Sequence, residues 1–310
     1  MFISGYFLKF KRIQLTLILT MLGVCNVCFA QSQKVLIVAN ANDGAYVQVI
    51  NGFKTQLSAT SHATYIEIIK PSAEDIPRQI NQNKPDLIFT VGSDATTLVQ
   101  QHANNIPVIS TLVLNDRIFK PANRTGVSLN YSLVTQIQWL KKFLPEQTRI
   151  AVLFNSAENA QTVQKLKKIA EQAGLWLTAI PVETPRELPS ALEQLTNNID
   201  VLLTIPDEIA LSPATIKEVM LASFRNRIPL VGLSENWVKS GALYALTWDY
   251  DDLGRQCAVQ AEKLLSGQVI KNIPPETPRK VSYALNTKIA EHMNIAIPNE
   301  LIQKAKATFN

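Results

Sequence analysis

Cysteine is scarce, histidine follows no ligand spacing, and long hydrophobic runs are missing; each absence narrows what this chain can be. Of 3 cysteines, Cys25 and Cys28 fall in the first thirty residues and only Cys257 lies beyond them. A chain without that leader therefore holds no internal disulfide and draws its stability from core burial. The 3 histidines, His62, His102 and His292, are far apart, with no HExxH or comparable spacing, so no metal site is indicated. Neither G-x-G-x-x-G nor G-x-x-x-x-G-K-[ST] occurs, which removes the usual signatures of dinucleotide and P-loop nucleotide binding. A G-x-S-x-G elbow is also absent, leaving no motif for a hydrolase serine. No cofactor is implied.

The N-terminus has an explanation of its own. "MFISGYFLKFKRIQ" is basic, and "LTLILTMLGV" (15–24) is apolar but too short to cross a bilayer as a helix. "CNVCFA" then ends on a small residue, Ala30, ahead of the polar Gln31. This pattern predicts a secretory signal peptide over 1–30 and export to the periplasm. Val24 rather than a small residue precedes Cys25, which argues against a lipid anchor there. The chain carries 30 basic and 25 acidic residues, net +5. Losing Lys9, Lys11 and Arg12 leaves 27 against 25, about +2, so the basicity belongs largely to the leader. No Lys/Arg cluster with interleaved aromatics remains, and no nucleic-acid partner is expected.

What is present is a rhythm. "KVLIVAN" (34–40), "TYIEII" (64–69), "DLIFTVG" (86–92) and "IPVIST" (106–111) are apolar and rich in β-branched residues, as strands buried on both faces of a parallel sheet would be. Helical patterns such as "AYVQVINGFKTQLSA" (45–59) and "DATTLVQQHAN" (94–104) lie between them. The alternation restarts with "RIAVLF" (149–154), "WLTAIPV" (176–182), "DVLLTIP" (200–206) and "IPLVGL" (228–233). Two such series predict two α/β lobes built from right-handed βαβ units, and 46% hydrophobic residues suffice for a core in each. "KPANRTGVSLNYS" (120–132) suits a crossing between lobes. After Pro274, Pro275 and Pro278, one last strand and a short helix are expected.

In open parallel sheets ligands bind beyond the carboxyl ends of strands. The first such loop holds Asn42, Asp43 and Tyr46; the third opens with Ser93 or Asp94 as an N-cap whose free N–H groups could hold an anion. In the second series the corresponding loops hold Asn155 and Glu158, then Asp207 and Glu208, then Ser234, Glu235 and Trp237. Thr111 and Ser128 complete the candidate set. The stretch "SENWVKSGALYALTWDYDDLGRQ" (234–256) gathers Glu235, Asp249, Asp251 and Asp252, an acidic cluster that could suggest catalysis. Helix capping accounts for Asp251 and Asp252 at the start of a 3.6-period helix, with Cys257 on its buried face. Asp249 and Glu235 stay open as cleft residues, and no catalytic residue is assigned.

"IPLVGLSENWVKSGALYALTWDYDDLGRQCAVQAEKLLSG" and "IPPETPRKVSYALNTKIAEHMNIAIP" resemble the substrate-binding proteins of ABC transporters in the tryptophan-binding-like group. "VGSDATT", "RTGVSLN", "LPEQTRIAVLFNSAEN" and "DVLLTIPDEIAL" extend the likeness over most of the chain. The resemblance implies the type I periplasmic binding fold, two lobes joined by a three-segment hinge. Its expected lobes are 31–126 plus 247–270 and 127–246 plus 271–310. It implies a small polar or aromatic, amino-acid-like ligand enclosed by hinge closure, and delivery to a membrane permease driven by an ATPase. By position, Ser93 matches the hydroxyl at the first-lobe helix start, Asn155 and Glu158 the family's Asn-Pro-Ser-Glu turn, and Asp207 the acid after a second-lobe strand. Asp207 would then take a ligand cation, Ser93 an anion, and Tyr46 or Trp237 an apolar body. The chain departs from the pattern at Ser156 and Ala157, where Pro and Ser are usual, and at Leu129, which replaces a common acid. A monomer is expected. The alternative is a sensory module of the same fold signalling to a membrane kinase; an exported hydrolase using the acids of 235–252 is a third reading.

Overall fold

The computed structural model describes residues 32–195 and 198–310. The signal-peptide expectation lies outside them. The first sheet contains β1 (Gln33–Ala39), β2 (Ala63–Ile69), β3 (Leu87–Val91), β4 (Val108–Thr111) and β5 (Arg124–Val127) in the order β2-β1-β3-β4-β5. β1, β3, β4 and β5 run parallel. Period-two alternation splits their apolar runs between two cores. Val35 and Ile37 enter one with Phe89, and Leu36 and Val38 enter the other with Ile88. That double burial is why the runs are continuous rather than alternating.

The second sheet has the order β12-β11-β10-β9-β8-β6-β7. Its strands are β6 (Arg149–Phe154), β7 (Trp176–Pro181), β8 (Val201–Leu203), β9 (Leu230–Gly232), β10 (Tyr244–Thr247), β11 (Ser282–Asn286) and β12 (Ala307–Phe309). Two expectations need correction. β11 runs antiparallel to β10, so the sheet is mixed, and the tail adds a second strand, β12, parallel to β11. β2 and β7 are edge strands and lack two-sided burial: Trp176 on β7 is 76% exposed.

Helices α1 (Gly44–Ser58), α2 (Asp75–Asn83) and α3 (Ser93–Gln100) follow the first three strands. On α1, Val49, Phe53 and Leu57 recur at helical spacing and are buried, with Phe53 stacked on Phe89 at 3.9 Å. The first sheet's remaining cover arrives from far along the chain. Helix α9 (Tyr250–Leu265), after β10, presents Leu253, Cys257, Ala258 and Ala261 to the core of α1 and β3. Burial also pushes the Cys257 thiol up, as befits a packing residue. The two helices meet backbone to backbone. A Cβ on Gly52 would stand 2.1 Å from the Asp251 carbonyl oxygen, and one on Gly254 2.0 Å from that of Val49.

Docking α9 on the first sheet forces the chain between sheets three times: after β5, after β10, and over 266–281 before β11. The third passage pairs with the first, for Ser128 N–H donates to Glu276 O and Glu276 N–H to Gly126 O. The N-cap of α9 is Asp249, whose carboxylate accepts from Asp252 N–H at 3.0 Å; this corrects the assignment of the cap to Asp251 and Asp252. Asp251 pairs with Arg255, and the buried Asp252 with Arg279 at 2.8 Å and Lys280 at 3.2 Å. Asp252, with Asp249 through Lys280, thus anchors the helix start to the third passage.

Two outcomes are expected. Gly254→Ala should destabilise the fold by roughly 2 kcal/mol, because overpacking at this contact exceeds the ~1 kcal/mol of helix propensity gained; urea unfolding reads it, and a neutral variant would show that the helices separate freely. Burial works against ionisation of Asp252, but hydrogen bonds and charge from Arg279 and Lys280 outweigh it and hold the carboxyl below its ordinary range. A depressed pKa stabilises above the unfolded value, about 3.9, and that contribution disappears as pH falls through the folded value. Asp252→Asn should therefore cost about 1–2 kcal/mol at pH 7 with Arg279 half-exposed, and parent and variant stabilities should converge as pH falls through the depressed folded-state value.

Candidate ligand-binding site

Because the first two passages leave from the carboxyl ends of β5 and β10, the carboxyl ends of the two sheets face the same junction. A cavity of about 290 Å³ lies there. Tyr244 and Leu246 from β10, and Val231 and Gly232 from β9, form one wall. The passages themselves supply Leu129, Asn130, Tyr131 and Trp248, and Leu114 comes from the loop after β4. The hinge is therefore part of the lining.

One hydroxyl ties the passages together. Tyr131 Oη lies 2.6 Å from Thr247 O, at the end of β10 where the second passage begins, and 2.9 Å from Lys280 O on the third passage. It has a single proton for two acceptors, so the donation is shared or alternates between them. Burial pushes the Tyr131 hydroxyl up, and it stays protonated at any ordinary pH. Trp248 Nε1–H donates to Leu129 O at 2.8 Å, joining the second passage to the first once more.

Tyr244 is among the most buried of the lining residues. Its ring, 1% exposed, stacks on Phe143 at 3.9 Å. Its hydroxyl has no hydrogen-bond partner among the described residues. Such a group is normally satisfied when buried, and leaving it so costs about 1–3 kcal/mol. Tyr244, Leu246 and Trp248 sit at alternate positions, so strand periodicity brings all three to the cavity. That period-two pattern was the signal available in "GALYALTWDY"; Tyr131 had none, since its partners come from distant segments.

Of the residues singled out from the sequence, Ser234 and Leu129 line this cavity and the others do not. Asn155, Glu158 and Asp207 do come together. Asn155 caps α5 (Ser156–Gln172) by accepting from Glu158 N–H. The buried Asp207 accepts from Asn155 N–H, Asn159 Nδ2 and the N–H groups of Ile209 and Ala210. Glu158 accepts from Glu208 N–H, so the network welds the loops after β6 and β8. Asn42, Asp43, Tyr46, Ser93 and Asp94 gather at the carboxyl end of the first sheet. Partial burial, then Asp94 and Asp43, raise the Tyr46 pKa.

The expected cap of α3 needs correction: neither Ser93 nor Asp94 caps it, and Asn40 accepts from Ala95 N–H at 2.6 Å across the strand ends. Gly92, at φ +104°, opens that turn where Asn40 leaves no room for a Cβ. Thr111 is buried and donates to Val127 O; Ser128 Oγ accepts from Asn130 N–H. Glu235 starts the short α8 (Glu235–Lys239), and Trp237 packs with Ile216 and Met220 against a different core. Among the described residues no group of three or more His, Cys, Asp or Glu is placed to hold a metal.

Tyr131→Phe removes the hydroxyl and leaves two carbonyls of the hinge without that donor. It should destabilise the fold by about 1–2 kcal/mol, more than Tyr283→Phe, whose hydroxyl bonds to the single carbonyl of Leu301; paired urea titrations compare them.

The comparisons with known proteins agree with this architecture. A tyrosine-binding protein of Clostridioides difficile (strain R20291) is 26% identical over 226 residues, 70% of this chain and 65% of that protein. The chain thus spans just under two thirds of that relative. A protein of Rickettsia prowazekii (strain Madrid E) is 24% identical over 297 residues, 93% of this chain and 92% of its own. Among solved structures, the ligand-free, open form of a substrate binding protein with adhesive properties from Clostridium difficile superposes with a TM-score of 0.70 at 22% identity, covering 90% of this chain and 99% of that one. An ABC domain in complex with L-Trp from Streptococcus pneumonia gives 0.56 at 21%, covering 90% and 100%. At those identities the structures speak for the fold alone: two α/β lobes of the type I periplasmic binding protein kind. The family model described as ABC transporter substrate binding protein matches residues 66–309, most of the chain, and the chain belongs to that family.

Proposed function

We propose that this chain captures a small ligand in the cavity at the hinge, outside the cytoplasmic membrane, and delivers it to an ABC permease powered by its ATPase. The observation that carries this reading is the placement of the cavity: Tyr131, Leu129 and Trp248 belong both to its lining and to the passages joining the sheets. A ligand seated there touches the segments that must rotate when the lobes approach. A ligand shifts an open–closed equilibrium only as far as it binds one state better than the other, and contact with the hinge supplies that difference. On closure the first-lobe group, Asn42, Asp43, Tyr46, Ser93 and Asp94, would come over the cavity mouth. Asp207, Asn155 and Glu158 hold the opposing loops in shape. The tyrosine-binding relative and the L-Trp-bound neighbour favour a ligand with an aromatic body.

The test is thermal denaturation of the purified chain against a broad panel of amino acids, nucleosides, sugars and small aromatics, with small-angle scattering on any hit. A true ligand should stabilise in proportion to the logarithm of its concentration, by about 2.7 kcal/mol at a hundredfold excess over Kd, and should reduce the radius of gyration. No shift from any compound would sink the capture reading.

A further inference from the structure

One sheet edge is left unguarded. Among the described residues four strands lie at an edge, and three of them are protected. β2 carries Glu67, ion-paired with Lys54; β5 pairs with the third passage at Val127 and Glu276; β12 is three residues long. β7 has none of these three protections. WLTAIP has six residues and no charge, and Trp176, Thr178, Ala179 and Pro181 are exposed. Sheets ordinarily blunt such an edge with charge, shortness or cover, because its free backbone groups are a template for another strand.

The free groups can be named. Trp176 N–H donates to Thr148 O and Val182 N–H to Phe154 O, so the even-numbered residues of β7 spend their backbone groups on β6. Leu177 and Ala179 turn their N–H and C=O outward, where no described residue bonds to them. Pro181 also faces outward but has no N–H to give. This row is complementary to itself. Turned about a two-fold axis at Thr178, Leu177 of one copy stands opposite Ala179 of the other, and every outward group of both residues is paired. An axis at Leu177 would instead set Ala179 against Leu175, whose N–H already bonds to Ala170 O. An axis at Ala179 would set Leu177 against Pro181, which lacks the donor.

We propose that two copies of this chain pair antiparallel through β7, joining their seven-stranded sheets into one. Thr178 meets its counterpart on the axis, and the exposed Trp176 stands opposite Ile180 of the second copy. Thr–Thr and aromatic–β-branched pairs are both favourable cross-strand neighbours. The same arrangement brings Glu183 of one copy toward Lys141 of the other, whose Nζ bonds to Ala173 O just ahead of β7. Backbone, apolar and charged groups are thus each matched by the same surface, as an isologous contact requires. The monomer expected from the sequence gives way to a dimer. β8 and β6 stand between this edge and β9, so the cavity stays outside the contact and the pairing goes beyond the capture reading.

Sedimentation equilibrium of the purified chain from about 1 to 300 μM should resolve a monomer–dimer equilibrium. Thr178→Lys places two ammonium groups against each other on the axis, yet the side chain is solvated in a monomer. It should weaken dimerisation about tenfold or more while keeping the circular dichroism of the parent. Cross-linking reads the register. In a Cys25→Ser, Cys28→Ser background the buried Cys257 is the one native thiol left. There Thr178→Cys should form a dimer on mild oxidation, because opposed residues of a non-hydrogen-bonded pair lie about 4.5 Å apart at Cα, within disulfide reach. Ala179→Cys, also exposed, should not, since its counterpart is a diagonal neighbour at about 7–8 Å. A chain that stays monomeric over the whole range would overturn the proposal and leave the edge to a different occupant. A Thr178→Lys variant that dimerises like the parent, or cross-linking at 179 as fast as at 178, would overturn it as well.

Discussion

The contact on which this structure depends is the backbone approach of α1 and α9 at Gly52 and Gly254. It places a helix from beyond residue 249 on a sheet whose strands all come before residue 128. Once that helix belongs to the first sheet's core, the chain has to enter and leave each lobe out of order, and three passages follow by necessity. Without side chains at those two positions the helices come close enough for Leu253, Cys257 and Ala261 to reach the core that Phe53 and Phe89 fill. Close packing of this kind tolerates little added volume, which makes the hinge a product of core packing rather than of linker flexibility.

The passages are then organised by hydrogen bonds that come from the cavity wall. Tyr131 faces Thr247 O, at the end of β10, and Lys280 O on the third passage, and Trp248 returns a bond to the first. Ion pairs from Asp252 to Arg279 and Lys280 lie at the same junction on its outer side. The cavity lining and the junction of the lobes consequently share residues.

The alternation of apolar runs and helical patterns was legible from the sequence, because a strand buried on both faces is apolar at most positions and a helix on a sheet must repeat every three to four residues. β1, β3, β4, β6 and β8 all appear where the runs predict them. The antiparallel β11 was not legible: a run of five residues, SYALN, says nothing about direction, which β10 decides by pairing with it. Caps were half legible. Carboxylates near a helix start are visible in "DYDDLG", but which one folds back depends on the turn geometry that makes Asp249 the cap. For α3 the cap comes from Asn40, fifty-five residues away, which no local pattern contains.

By itself the sequence determined the lobed α/β plan, the lack of a disulfide framework and the family likeness, since each rests on residue type and local spacing. Tertiary structure alone decided which polar residues are free. Asp207 reads as an ideal ligand for a cation until its carboxylate is seen holding four donors, and Tyr244 reads as core until its hydroxyl is seen with none. Whether a side chain still has hydrogen bonds to give is a property of its neighbours in space. Some of those neighbours, as Asn155 and Asn159 are to Asp207, lie tens of residues away along the chain, so only the fold could say which polar groups are already engaged.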